Sequence, residues 1–365
     1  MIFFQNLTEN FPVFSFIFSL VLVTGLYQFG EIIFYNKNIR SIFLNISDLK
    51  YQKILIAINF IMIMLLPVVL FFQYSKKVII LISILIFLLG LFKIVFSFKK
   101  KINFKNKINL PEYNIDYFLF LLTILGFFLI TFSPVNHADS LSYHSGGAET
   151  IFYTGKIPTG LENFEFLLIG TGEVFMSLGV FFGAEQFGNL VQFSALLSLI
   201  GVVKRFNNNK FFFLLLILTS PVLIFLASSP KPQLFHIISN TIIFVILFIN
   251  FNYFKSSKYF LSNLVIITNI FIINSINAKF SFIISATILY VILAIYSYKK
   301  NFLIQMIFIN LCFLIFFYLG FVYWKYITWG GFFVDYILNP LPIHLEGMRT
   351  FYQYLIDYKR AASFI

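Results

Sequence analysis

The sequence predicts an all-α polytopic membrane protein of about ten transmembrane helices, with a helical extracytoplasmic or interfacial loop between the fourth and the fifth. Three observations lead there. Hydrophobic residues fill 60% of the 365 positions and charged residues only 11%, and the mean hydropathy is +0.91. A soluble chain of this length has no interior large enough for so much apolar surface. The apolar residues gather into runs of about 20, the length of helix that crosses the hydrocarbon layer. One stretch, residues 134–165 (PVNHADSLSYHSGGAETIFYTGKIPTGLENFE), is polar instead.

Taken in order, apolar runs of spanning length lie near 11–34, 54–73, 78–98 and 117–133. Six more lie near 189–203, 211–229, 233–253, 259–277, 281–298 and 302–324. The first is too long for a signal-peptide core and lacks a small-residue cleavage site, so it is expected to stay as a membrane helix. These runs divide the chain into an N-terminal four-helix region (1–133), a loop (134–188), a six-helix region (189–324) and a polar segment (325–365). An eleventh run, 166–183 (FLLIGTGEVFMSLGVFFG), carries Glu173 and four glycines.

Basic residues decide how that run is placed. If it does not cross, the loops 35–53, 99–116, 204–210, 254–258 and 299–301 share one side and hold 16 Lys and Arg, against 9 on the other. If it crosses, KRFNNNK and every later basic loop change sides. Cytoplasmic loops concentrate Lys and Arg, so the run is expected to lie in the interface or to re-enter it. All four histidines and ten of the fourteen acidic residues then fall at the outer face. Asp48, Glu112 and Asp116 read as solvated charges on the other side, and Glu31 as a snorkelling or bundle-facing residue.

Composition also excludes. The 54 phenylalanines spread over the whole chain and read as lipid-facing and core filler. The single Cys312, inside an apolar run, leaves no disulfide framework and no cysteine metal site. The net charge of +12 resides in short clusters between apolar runs, a topology pattern; no nucleic-acid partner is expected.

Lipid offers no partner to an ionised carboxylate, so polar chemistry concentrates where the chain leaves the bilayer. NHADSLSYH supplies His137, Asp139, Tyr143 and His144, and Glu149 follows. One reading makes His137, Asp139 and His144 a two-histidine, one-carboxylate metal set, but their spacing suits no single helix face, and no metal or other cofactor is expected. A second makes Asp139 a general base, sharing a face with Tyr143 if a helix begins after Pro134, with His144 and Glu149 at neighbouring positions. The Gly146–Gly147 pair would admit close approach of a substrate or helix. A third makes Asp139 a helix N-cap. Lys231, between two prolines, and Lys279, after Asn274 and Asn277, could bind a lipid phosphate or snorkel at the interface.

HADSLSYHSGGAETIFYTGKIP, with the later stretch FFGAEQFGNLVQFSALLSLIGVVKRF, resembles the GT-C membrane glycosyltransferases. More narrowly it is similar to bacterial proteins with an RgtA/B/C/D-like or protein-mannosyltransferase-like domain. The likeness covers about 134–300, and NAKFS around Lys279 shares it. The resemblance implies a bacterial inner-membrane enzyme whose active site faces outward. Its donor would be a polyprenyl-phosphate-linked sugar and its acceptor a glycan, lipid or protein. Asp139 matches the catalytic loop carboxylate, and Lys231 and Lys279 would stabilise the leaving phosphate. His137, Tyr143, His144 and Glu149 would contact substrate. Two departures stand out: four helices precede the loop where the family usually has one, and the chain ends at Ile365, as expected of a fragment, a shortened member or an inactive relative. The alternatives are a non-catalytic membrane protein, a transporter, or a polysaccharide polymerase-type protein of the cell envelope.

Overall fold

A computed structural model describes residues 2–99, 115–133, 140–158, 168–206, 218–253 and 257–329. Every regular element among them is helical: α1 (Ile2–Asn10), α2 (Pro12–Ile33), α3 (Lys37–Leu44), α4 (Leu49–Phe71), α5 (Ser75–Lys99) and α6 (Ile115–Ile130). A π-helical turn, Ser140–Ser145, leads into α7 (Gly146–Thr154). Then come α8 (Thr171–Val180), α9 (Phe187–Phe206), α10 (Pro221–Ala227), α11 (Gln233–Tyr253), α12 (Lys258–Ala278) and α13 (Ile283–Lys299). The last helix is α14 (Leu303–Phe313), continued by a π-turn (Leu314–Leu319) into α15 (Gly320–Trp329).

Eight helical stretches among the described residues are long and apolar enough to cross a membrane. They match eight of the ten expected runs. The ninth, α6, is apolar but only 16 residues long. The tenth run, 211–229, lies partly outside the described residues, and its described part holds the seven-residue α10.

Two layers of contacts define the ends of the bundle. At one end Gln52 at the start of α4 donates to Ser198 O near the end of α9, and Ser198 Oγ donates to Tyr51 O. Glu31 of α2 pairs there with Lys93 of α5 at 3.0 Å and Lys53 of α4 at 3.4 Å; it faces the bundle. Asp48 caps α4, accepting from Lys50 N, so it is more than a solvated charge.

At the other end, Ser15 of α2 donates to Gln186, just before α9, at 2.7 Å, and accepts from Glu185 N at 2.9 Å. Phe16 of α2 stacks on Phe132, just past α6, with centroids 3.5 Å apart. The chain therefore reaches residue 140 and begins α9 at the same end. Among the described residues between them, 140–158 and 168–186, no helix is long enough to cross. The ten residues of α8 would extend about 15 Å, half the hydrocarbon thickness. Its first turn rests on the end of α12, where Thr171 Oγ1 donates to Asn274 O at 2.8 Å. Beyond its last turn, Gly183 abuts Thr8 of α1. The helix lies across the end of the bundle, with residues Thr171 to Gly179 all buried.

Helices in lipid associate through close backbone packing, since apolar side chains gain nothing by leaving lipid for one another. In α2 and α5 two glycines make this possible reciprocally. A Cβ on Gly25 would strike the carbonyl of Ile86, and one on Gly90 would strike the carbonyl of Val21. Gly90→Val should force these helices apart and cost about 1–3 kcal/mol. A detergent thermal melt at or above the wild-type midpoint would contradict this packing.

Candidate functional site

The polar end is built from the π-turn, α7 and α8. The π-turn and α7 together present two sides. Leu141, Ser145, Ala148 and Glu149 face a cavity, while Ser140, His144, Gly147 and Ile151 are buried against the bundle. A Cβ on Gly147 would approach Ile169 Cδ1 to 2.7 Å, so the glycine serves helix packing. Helix α7 ends at Gly155 in the left-handed region, φ +73°, and Ser75 at the start of α5 donates to its carbonyl.

On the buried side, His144 Nδ1 lies 2.6 Å from Glu173 Oε1, and both side chains are almost wholly buried. The other carboxylate oxygen accepts from Gly170 N at 2.8 Å. Glu173 is thus the third residue of α8 and caps that helix, at the end where a negative charge is favoured. The buried Glu173 also interacts electrostatically with Lys325 of α15. Tyr143 stacks obliquely on His144, ring centroids 3.9 Å apart.

On the open side, a cavity of about 510 Å³ is lined by Glu9 of α1, Glu149 of α7, Glu185 before α9, and Gln5, Ser15 and Tyr153. Gln5 donates to the Tyr153 hydroxyl, joining α1 to α7. Burial, and then the Glu185 carboxylate, raise the Glu149 carboxyl above its ordinary 4.5.

The structure brings some of the expected residues together and separates others. His137 and Asp139 lie outside the described residues. His144 and Glu149 do not line one surface: His144 turns into the core and Glu149 into the cavity. Lys231 is buried at 6% exposure, its ammonium 5.0 Å from the centre of the Phe225 ring, a position unlike snorkelling. Lys279, just past α12, is exposed. Among the described residues no group of three His, Cys, Asp or Glu is placed to hold a metal ion. Sequence reasoning missed the carboxylates of Glu9 and Glu185 and the pairing of Glu173. The last had a signal: a lone carboxylate in an apolar run needs a buried partner.

These features define an all-helical polytopic membrane protein with a polar, carboxylate-lined site at one end of its bundle. The chain belongs to the DUF1420 N-terminal domain family, whose model matches residues 93–365. No curated protein and no solved structure matches it.

The raised Glu149 carboxyl gives a signed pH prediction. The folded chain holds this proton more tightly than the unfolded chain does. The cost of ionising it is therefore absent below about pH 4.5 and grows as pH rises through the raised value. Glu149→Gln should raise the thermal midpoint at about pH 8 and leave it unchanged at about pH 4. A lower midpoint for the variant at the higher pH would contradict the assignment.

Proposed function

We propose that the chain is an integral membrane glycosyltransferase that moves a sugar from a polyprenyl-phosphate carrier to an acceptor at the polar end. The observation that carries this reading is the loop after α6. Its described parts, α7 and α8, lie at one end of the bundle and border a cavity of about 510 Å³ rich in hydrogen-bond acceptors. Carboxylates and amide oxygens accept from sugar hydroxyls. The same carboxylates repel a phosphate, so the carrier's anionic group belongs with cations nearby. Lys231 directly follows Pro230 in the cavity wall, and Lys279 caps the adjacent end of α12.

In this reaction the acceptor oxygen attacks the anomeric carbon, and the bond to the carrier phosphate breaks with its electron pair leaving on the phosphate. Asp139, at the start of the loop, takes the acceptor proton as general base. The donor supplies the leaving group, so no nucleotide and no metal is called for.

A second reading, a transporter, draws on buried polar residues within the spans. Asn269 of α12 donates to Asn310 of α14 at 2.6 Å and accepts from the Tyr290 hydroxyl of α13 at 2.9 Å. Transporters place substrate sites at such mid-bundle positions. A flux assay in vesicles separates the two readings.

Asp139→Asn keeps the side-chain size and caps a helix about as well as Asp, but it cannot take up the proton. Transfer from a lipid-linked sugar should fall by about 10²–10⁴ while expression and thermal midpoint stay at wild-type values. Full transfer by this variant would remove Asp139 from the mechanism.

A further inference from the structure

We propose that Lys76, Lys77 and Lys156 form a ledge that binds the phosphate of a membrane lipid and directs that lipid's polar headgroup into the carboxylate-lined cavity. Identifying the lipid as the sugar carrier rests on the glycosyltransferase reading; the ledge itself does not.

The start of α5 and the end of α7 meet at Gly155. A Cβ there would lie 2.7 Å from Ser75 Oγ and 3.0 Å from Lys76 N, so a glycine, at φ +73°, lets the two segments touch. Ser75 donates to the Gly155 carbonyl, and Lys76 Nζ donates to Tyr153 O at 3.0 Å. Lys77 follows this contact on one segment and Lys156 on the other, and both are exposed. Among the described residues none of the three lysines pairs with a carboxylate, whereas Lys53 and Lys93 at the opposite end share Glu31. Like charges gathered without a counter-ion attract an anion.

Tyr153 joins the ledge to the cavity. Its carbonyl takes the Lys76 ammonium, while Tyr153 itself lines the cavity and its hydroxyl accepts from Gln5. The two neighbouring fields have opposite signs. Glu9, Glu149 and Glu185 accept from hydroxyls and repel a phosphate, and the lysines do the reverse. A headgroup that carries a phosphate next to hydroxyls therefore fits in one direction only.

Two surface features place the ledge at headgroup depth. Tyr74 and Tyr153 are 61% and 44% exposed, and exposed tyrosines gather where hydrocarbon meets the headgroups. Lys77 Nζ lies 5.0 Å from the centre of the Tyr74 ring. Beyond Lys77, Leu81, Leu85 and Leu88 are exposed at helical spacing along α5. A chain attached to the phosphate follows this stripe, and a free phosphate makes no use of it. The ledge is therefore assigned to a lipid.

Native mass spectrometry of the full chain in neutral detergent counts bound undecaprenyl phosphate directly. In Lys77→Gln/Lys156→Gln the Kd should rise about tenfold, the worth of one hydrogen bond to a charged group. The thermal midpoint should stay at the wild-type value, since both side chains are exposed. Lys77→Arg/Lys156→Arg keeps the charges and should bind as the wild type does. Lys37→Gln/Arg40→Gln, at the other end of the bundle, should leave the Kd unchanged. Excess inorganic phosphate should leave the lipid bound. Undecaprenyl-phosphate-linked glucose should bind more tightly than undecaprenyl phosphate, and Glu185→Ala, which removes an exposed cavity carboxylate, should erase that difference.

An unchanged Kd in Lys77→Gln/Lys156→Gln overturns the ledge, and so does a matching loss in the arginine variant or in Lys37→Gln/Arg40→Gln. Displacement by inorganic phosphate overturns the assignment to a lipid. Equal affinity of the wild type for the two lipids overturns the placement of the headgroup. A wild type that binds both lipids through the ledge yet transfers no sugar counts against the glycosyltransferase reading alone.

Discussion

The architecture of the polar end depends on burying one carboxylate. Glu173 sits on a short helix enclosed by the ends of the spanning helices, where a lone negative charge would be strongly unfavourable. Its cost is offset by three things at once: the His144 Nδ1–H, the Gly170 N–H of its own helix cap, and the charge of Lys325. Each comes from a different part of the chain. Satisfying the carboxylate therefore ties the loop after α6, the start of α8 and the last helix into one unit. The glycine at position 170 belongs to the same constraint, since a Cβ there would strike the carbonyl of Asn277. Backbone contact between α8 and α12 is what lets Thr171 reach Asn274.

This arrangement also explains the division of polar character along the bundle. The end with Glu31, Lys53 and Lys93 resolves its charges by pairing. The end with α7 and α8 leaves three carboxylates around a cavity and turns two histidines, His144 and His236, and Lys231 inward. Between the ends, side-chain amides and hydroxyls stitch α4, α11, α12, α13 and α14 together. Asn269, for instance, donates to Asn310 of α14 and accepts from the Tyr290 hydroxyl of α13. These bonds are worth about 1 kcal/mol each in a membrane and specify which helices meet.

Much of the fold was legible because lipid imposes a length rule that composition alone can answer. Runs such as 54–73 and 259–277 read directly as spans. The count of lysines and arginines also placed 166–183 outside the set of crossing helices, since a crossing would have moved KRFNNNK to the other side. What was not legible depended on long-range pairing. His144 and Glu173 are 29 residues apart, and Asn59 and Asn274 are 215 apart. No local pattern announces either pair. His144 and Glu149 are five residues apart, about 140° around a regular helix of 3.6 residues per turn, so they leave the chain toward different sides. Lys231 read as a lipid-phosphate ligand or a snorkelling residue; the burial of its ammonium against Phe225 rests on a contact that local sequence does not announce.

The site depends on α7 and α8 lying at the same end of the bundle as the start of α9, so that α9 carries the chain away from the site. Reporter fusions after residues 145 and 207 measure this directly. The expected result is an external signal at 145 and a cytoplasmic one at 207, because one crossing, α9, separates them. Signals on the same side at both positions would mean that 166–183 crosses as well, and would contradict the arrangement from which the site is built.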